Sequence, residues 1–409
     1  MKQYETYKDS GAEWIGEIPE SWKSVNLKWI SNITKGKKPK VDFDENGENL
    51  LPYLSMEFLR GKTSNPTYAS IEEKGLVHID DGDILILWDG SKAGEIVKAK
   101  KGILSSTMAK IEINDNNFES NYLNYLLQLG ERHVQEHTIG MGIPHVSGDI
   151  LKMLPMLVPS PQEQTQIAAY LDYKTGLIDS IIAQKEALIK KLKEQRQAII
   201  NEAVTKGLNP NAKLKDSGIE WLGDIPEHWV ISKFKYFAKI RNGKDQKGVL
   251  VENGKYPILG TGGEFGRASE FLYDKPSVLL GRKGTIDKPQ FIEEPFWTVD
   301  TLFYTEIQED VSPKYLFYLT TLIPFNLLQE SSAVPSMTQD KLHNVFLTKP
   351  IKEEQNKIVK HIENEMNKMD LLISKAKESI QKLKEYRQSL ISEAVTGKID
   401  VRDWQAPKS

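Results

Sequence analysis

Asp9-Ser10-Gly11-Ala12-Glu13-Trp14-Ile15-Gly16-Glu17-Ile18-Pro19-Glu20-Ser21-Trp22 returns further along the chain as Asp216-Ser217-Gly218-Ile219-Glu220-Trp221-Leu222-Gly223-Asp224-Ile225-Pro226-Glu227-His228-Trp229. A second repeat closes each half: Glu202-Ala203-Val204-Thr205 and Glu393-Ala394-Val395-Thr396. The opening pair is offset by 207 residues and the closing pair by 191, so the halves share their ends while their middles differ in length and sequence. Internal repeats set the architecture before any single motif does. Constant frames around unlike inserts point to two different readers held in one geometry.

Each half, at about 200 of the 409 residues, is long enough to bury a full core. Hydrophobic residues at 39% and charged residues at 27% are ordinary for a soluble globular chain. No apolar run reaches the roughly 18 residues of a membrane span, and Met1-Lys2-Gln3-Tyr4-Glu5 lacks the apolar core of a signal peptide. The absence of cysteine removes disulfides and thiolate metal sites. The expectation is therefore a cytoplasmic protein without membrane contact. A net charge of −3 argues against a protein that coats nucleic acid indiscriminately, but allows a local basic face.

Residues 1–160 mix short apolar runs, such as Ile84-Leu85-Ile86-Leu87-Trp88 and Ile103-Leu104, with glycine and proline breaks at Gly61, Pro66, Asp81-Gly82 and Asp89-Gly90. They read as strands and turns. One helix interrupts them near Asn121–Leu127, echoed by Lys314–Leu319. From Gln162 to Thr205 there is no proline and one glycine, Gly176, with Pro161 placed at a first helical turn. Residues 208–349 are again strand-rich, and 351–396 contain neither proline nor glycine. The expected organisation is α+β: strand-rich domains at 1–160 and 208–349, long helices within 161–207 and 350–400, and a tail at 401–409.

The second helix carries a heptad seam: Met366, Ile373, Ile380 and Ala394 at one position, Ile362, Met369, Ala376, Leu383 and Leu390 at the other. Shifting by the same 191 residues gives Ile182, Ile189 and Ala203, then Leu171, Ile178, Leu192 and Ile199. Both seams share one exception, Arg196 and Arg387. A helix of about 42 residues is roughly 60 Å long and must cover its apolar stripe. The other copy is the simplest cover. Antiparallel coiled-coil pairing, related by a pseudo-twofold axis, would place the two strand-rich domains at opposite ends of a rod.

A search for catalytic groups yields no set that coheres. His133-Val134-Gln135-Glu136-His137 matches a zinc-binding helical pattern, yet lacks a third ligand and a counterpart in the second half. Gly260-Thr261-Gly262-Gly263 is not a dinucleotide loop, no phosphate loop occurs, and Glu95 and Lys98 stand too isolated for a nuclease centre. The expectation is no catalytic residue, no metal and no cofactor in this chain.

Binding loops remain. Lys35, Lys37 and Lys38 lie at a place in the first half similar to that of Arg241, Asn242 and Lys244 in the second. Glycine, cations and amides together suit phosphate contact and base-edge hydrogen bonds. Further candidates are Gly90, Ser91 and Lys92 in Asp89–Lys92; Arg282, Lys283 and Thr285 in Gly281–Thr285; Thr261 in its glycine cluster; Gly142 and His145 in Gly140–His145; and Ser336 and Thr338 in Ser331–Thr338. A rival reading is a two-headed protein–protein scaffold that reads no DNA.

These residues resemble the specificity subunit of a type I restriction–modification system across essentially the whole chain. The resemblance rests on the D-S-G-x-E-W-x-G-x-I-P-E-x-W frames, on Pro159-Ser160-Pro161-Gln162-Glu163-Gln164 with Ile167, and on Pro350 with Glu354-Gln355 and Ile358. The helix ends, Arg196-Gln197 to Thr205 and Arg387-Gln388 to Thr396-Gly397, fit as well. Tyr256–Gly263 and Gly281–Ile286 resemble a common target-recognition subtype. Leu51–Ser55 and Trp88–Lys92 depart from it, which implies unlike half-sites. The resemblance implies two target-recognition domains reading a split, asymmetric double-stranded DNA site, with the helices as a ruler. Those helices would dock two modification (methyltransferase) subunits, and restriction (translocase/nuclease) subunits would join the complex. S-adenosylmethionine, ATP and Mg2+ would belong to those partners.

Overall fold

The computed structural model describes residues 2–61, 63–140, 142–330 and 335–407. Among the described residues no helix is long and apolar enough to cross a membrane. The chain divides into two compact units, one formed by Met1–Gln184 with Glu378–Ser409 and the other by Lys185–Lys377. Each unit therefore holds one strand-rich domain and one half of each long helix.

The long helices run over Pro161–Lys206 and Lys352–Val395, 46 and 44 residues, or about 69 and 66 Å. The first opens with a reciprocal cap. The Glu163 backbone N–H donates to Ser160 Oγ at 3.4 Å, and the Ser160 N–H donates to Glu163 Oε2 at 3.2 Å. This is a capping box with proline at the first helical position. The fully buried amides Gln164 and Gln355 anchor the two starts. Each Nε2 donates back to a proline carbonyl, Pro159 at 3.1 Å and Pro350 at 2.8 Å. Each Oε1 accepts the N–H that precedes a shorter helix, from Glu119 at 2.8 Å and Ser312 at 2.7 Å. Those shorter helices, Ser120–Glu136 and Pro313–Thr320, are the echoed pair of the sequence. Each buries a tyrosine, Tyr122 or Tyr315, whose burial raises its phenol pKa well above the ordinary value.

Within each unit the helix halves run antiparallel. In the first, Tyr170 contacts Trp404 beyond the end of the second helix, while Arg387 Nε donates to Asp179 Oδ1 at 3.0 Å. In the second, Arg196 Nη1 donates to Asp370 Oδ1 at 2.8 Å, and Gly207 lies beside Glu354. The shared seam arginines thus each meet an aspartate of the opposite helix, Arg387 from one helix in the first unit and Arg196 from the other in the second. Leu171, Ile178, Leu192, Ile362, Met369, Ile373, Ile380 and Leu390 are buried, and Ile182, Ile189, Ile199 and Leu383 half-buried.

The strand-rich domains share a plan. Each has a four-stranded antiparallel sheet, in the order 31–35, 108–113, 84–87, 96–98 in the first and 238–242, 302–307, 277–281, 290–292 in the second. Each has a second sheet containing one parallel pair, Ile103 opposite Tyr53 and Ile258 opposite Trp297. That sheet has four strands in the first unit and three in the second.

The frames end in Trp22 and Trp229, both fully buried. Trp22 packs on Gly397 and Trp229 on Gly207, just past the ends of the two helices. Trp22 Nε1 donates to Glu163 Oε1 at 3.3 Å. The corresponding Glu354 is drawn instead to His228 Nε2 at 3.1 Å, and Trp229 Nε1 is left buried without a partner. A hydrogen bond to a charged group contributes more than an orphaned donor. Trp22→Phe is therefore expected to destabilise by about 1–2 kcal/mol more than Trp229→Phe, read as the difference in urea unfolding free energy.

Candidate nucleic-acid interface

In each unit three loops converge at the end of the four-stranded sheet. The first follows the strand Ser31–Lys35 or Ala238–Asn242 and opens with a buried glycine, Gly36 or Gly243. The glycine N–H donates to Met108 O or Leu302 O, at 3.0 Å in both units. A Cβ on Gly36 would lie 2.1 Å from Ser105 O, and one on Gly243 would lie 2.0 Å from Val299 O. Only glycine lets the two backbones pass this closely.

The second loop leaves the strand Ile84–Leu87 or Ser277–Gly281. Trp88 and Asp89 N–H both donate to Thr107 O, at 2.8 and 3.2 Å; Arg282 and Lys283 N–H donate to Thr301 O at 2.8 and 3.2 Å. The third loop closes over the second. Gly90 N–H donates to Pro144 O at 3.0 Å and Gly284 N–H to Pro335 O at 2.9 Å, while Val146 N–H donates to Trp88 O and Met337 N–H to Arg282 O, both at 2.9 Å. Asp89 bridges His145 as Lys283 bridges Ser336. These backbone bonds recur in both units, yet the side chains around them differ.

In the first unit these side chains form a charged cluster. Asp89 Oδ1 lies 2.6 Å from His145 Nδ1, and Asp89 Oδ2 lies 3.6 Å from Lys35 Nζ. The Lys35 ammonium also sits over the Trp88 ring, 4.9 Å from its centroid. The carboxylate is 24% exposed and Lys35 and His145 nearly half exposed, so the cluster faces solvent with two donors around one acceptor. In the second unit the matching positions are Asn242, Arg282, Lys283 and Ser336. Asn242 Oδ1 accepts from Gln339 Nε2 at 3.0 Å, and Arg282 Nη1 donates to Asp300 O at 3.2 Å. Thr261 Oγ1 adjoins Gly284.

The structure therefore gathers Lys35, Gly90 and His145 in one unit, and Asn242, Thr261, Arg282, Lys283 and Ser336 in the other. Lys37 instead extends toward Gly75, and Lys38 is exposed in the same loop. Ser91 and Lys92 line a groove of about 370 Å³ with Glu95, Glu131 and Pro144. Arg241 is engaged by Glu306 through two hydrogen bonds of 3.0 and 3.1 Å, which raise its pKa further. Lys244 is exposed, with its carbonyl accepting from Trp297 Nε1 at 3.1 Å. Thr285 closes the turn against Gly281, Thr338 caps the helix Gln339–His343, and Gly142 is exposed. Met141 and Ser331–Val334, quoted with these loops, lie outside the described residues. Trp88 and Asp89, quoted in the sequence within Trp88–Lys92, belong to the junction, and so does Gln339, which no motif singles out.

His133 stacks on Trp14 with ring centroids 4.7 Å apart, and burial followed by the neighbouring His137 lowers its pKa. His137 Nδ1 lies 2.8 Å from the His133 carbonyl. Among the described residues no cluster of three potential metal ligands occurs. Glu95, weighed as a nuclease carboxylate, is paired with Arg60. A cleft of about 1250 Å³ in the first unit lies along the second long helix and is lined by Trp14, Arg132, His133, Lys384, Arg387 and Gln388.

The family model described as the type I restriction modification DNA specificity domain matches residues 19–191 and 226–382. The chain belongs to this family. Specificity subunits are the non-catalytic components of type I restriction–modification systems. The MjaVIII specificity subunit of Methanocaldococcus jannaschii is 32% identical over 94% of this chain and 95% of that protein. The EcoBI specificity subunit of Escherichia coli is 22% identical over 95% and 88%. Among solved structures, a chain from work on complex assembly and conformational transition of the type I R-M system aligns with a TM-score of 0.71 at 17% identity, over 93% of this chain and 99% of that one. The HsdS subunit of Thermoanaerobacter tengcongensis aligns with a TM-score of 0.50 at 17% identity, over 93% and 98%. At these identities the structures speak to the fold.

Proposed function

We propose that this specificity subunit reads an asymmetric, two-part site in double-stranded DNA, one part with residues 1–160 and the other with residues 208–349. The observation that carries the reading is the duplicated three-loop junction, where one hydrogen-bonded backbone presents two different sets of side chains. A shared scaffold with unlike donors and acceptors is what two different half-sites require. The long helices, within 161–207 and 350–400, set the unread spacer and dock two modification subunits, with restriction subunits completing the complex in the cytoplasm. S-adenosylmethionine, ATP and Mg2+ act on those partners. The seam residues face inward, so docking falls to other apolar positions: Leu177, Ile181, Leu188, Leu371 and Leu372 are each at least 42% exposed.

Titrating a random-sequence duplex with salt separates this from a two-headed protein–protein scaffold. Phosphate neutralisation releases counterions, so affinity is expected to fall roughly a thousandfold or more between about 50 and 200 mM salt if six or more phosphates are contacted. Absent or salt-insensitive binding would favour the scaffold.

A further inference from the structure

Asp89 and Lys283 occupy one topological position and carry opposite charge. The match rests on paired backbone bonds: Asp89 and Lys283 N–H each donate at 3.2 Å, to Thr107 O and Thr301 O, and each residue bridges the third loop, at His145 and Ser336. Of the neighbouring positions, Trp88 opposite Arg282 differs in the same sense, whereas Lys35 and His145 stand opposite the neutral Asn242 and Ser336 and so compensate the carboxylate. The first unit places a carboxylate between Lys35 and His145; the second has Arg282, Lys283, Asn242 and Ser336, with no carboxylate among them.

Building on the DNA-reading proposal above, we infer that this position reads one base pair in each half-site: Asp89 takes a base with an exocyclic major-groove amine, adenine or cytosine, and Lys283 takes guanine. A carboxylate accepts hydrogen bonds and repels the O6/N7 acceptor edge of guanine, whereas lysine and arginine donate to that edge. The repulsion excludes as effectively as the contact selects. Left alone, a carboxylate would also be repelled by the phosphates. Lys35 at 3.6 Å offsets its charge and His145 at 2.6 Å fixes its orientation, leaving the remaining lone pairs for a base. Asp89 therefore acts as a specificity residue, and Lys35 and His145 as positioning residues that permit its approach to DNA.

The test transplants the second cluster into the first unit with Lys35→Asn, Asp89→Lys and His145→Ser together, in the full chain with its partner subunits, and selects bound sequences from a randomised duplex library. One position of the first half-site is expected to change from adenine or cytosine to guanine, with the second half-site unchanged. Affinity for the parental site is expected to fall roughly 5- to 150-fold, the range for one base contact. An unchanged first half-site, from a variant whose melting midpoint matches the parent, overturns the assignment of Asp89 and leaves the DNA-reading proposal standing. If the transplant melts early, Lys283→Gln decides instead, because that side chain is exposed. A guanine preference that persists in that variant overturns the inference; a relaxed second half-site supports it. Selection of no sequence by the parent chain itself would sink the DNA-reading proposal instead.

Discussion

Gly243→Ala is expected to destabilise the chain by about 3 kcal/mol or more, the upper range of overpacking where neighbours cannot yield, and Gly36→Ala by a similar amount. The introduced Cβ would lie 2.0 Å from Val299 O and 2.6 Å from Thr298 O in one case, and 2.1 Å from Ser105 O and 2.5 Å from Leu104 O in the other. All of these are backbone atoms, so no rotamer change relieves the contact. The loop must move instead, and it would take the hydrogen bond to Leu302 or Met108 with it. Gly176→Ala is the control. Its Cβ meets nothing within 4 Å on the first long helix, and a helical glycine replaced by alanine is stabilising by about 0.5–1 kcal/mol. Urea midpoints of the three variants check the contrast. Equal small losses at all three sites would mean that the loop junctions are looser than the close approach implies.

The duplicated frames and both long helices are legible in the sequence because their cause is local. Helix composition, Pro161 at a first turn and the seven-residue seam act between neighbours on one helix or between two equal stripes. The seam arginines are legible as exceptions, although their aspartate partners are not: Asp179 and Asp370 lie on the opposite helix and declare themselves only once the antiparallel register is known. The loop junction is harder still. Asp89 and His145 are 56 residues apart and meet through sheet topology, which no periodicity announces. Trp88-Asp89-Gly90 and Arg282-Lys283-Gly284 share only the glycine, so the sequence sets the two stretches side by side while the residue-for-residue match comes from their backbone hydrogen bonds. Arg241 shows a different gap. Its charge and its position beside Gly243 mark it as a contact residue, but Glu306, on the neighbouring strand, engages it.

The other large effect concerns sequence choice. Residues 230–349 begin and end on paired strands, with Val230 opposite Lys349 and Lys233 opposite Phe346. The insert therefore enters and leaves the frame at adjacent points. Its replacement by the matching insert of a relative leaves the 216–229 frame, the buried Trp229 and both helices in place. Under the proposed function, base contacts move with the insert and the helices that remain keep the spacer.

Selecting duplexes from a randomised library with the parent and the exchanged chain, each with its partner subunits, measures this directly. The account predicts a wholly new second half-site, with the first half-site and the spacer length unchanged. If both half-sites persist, or if the first changes with the second, the two domains do not read DNA independently.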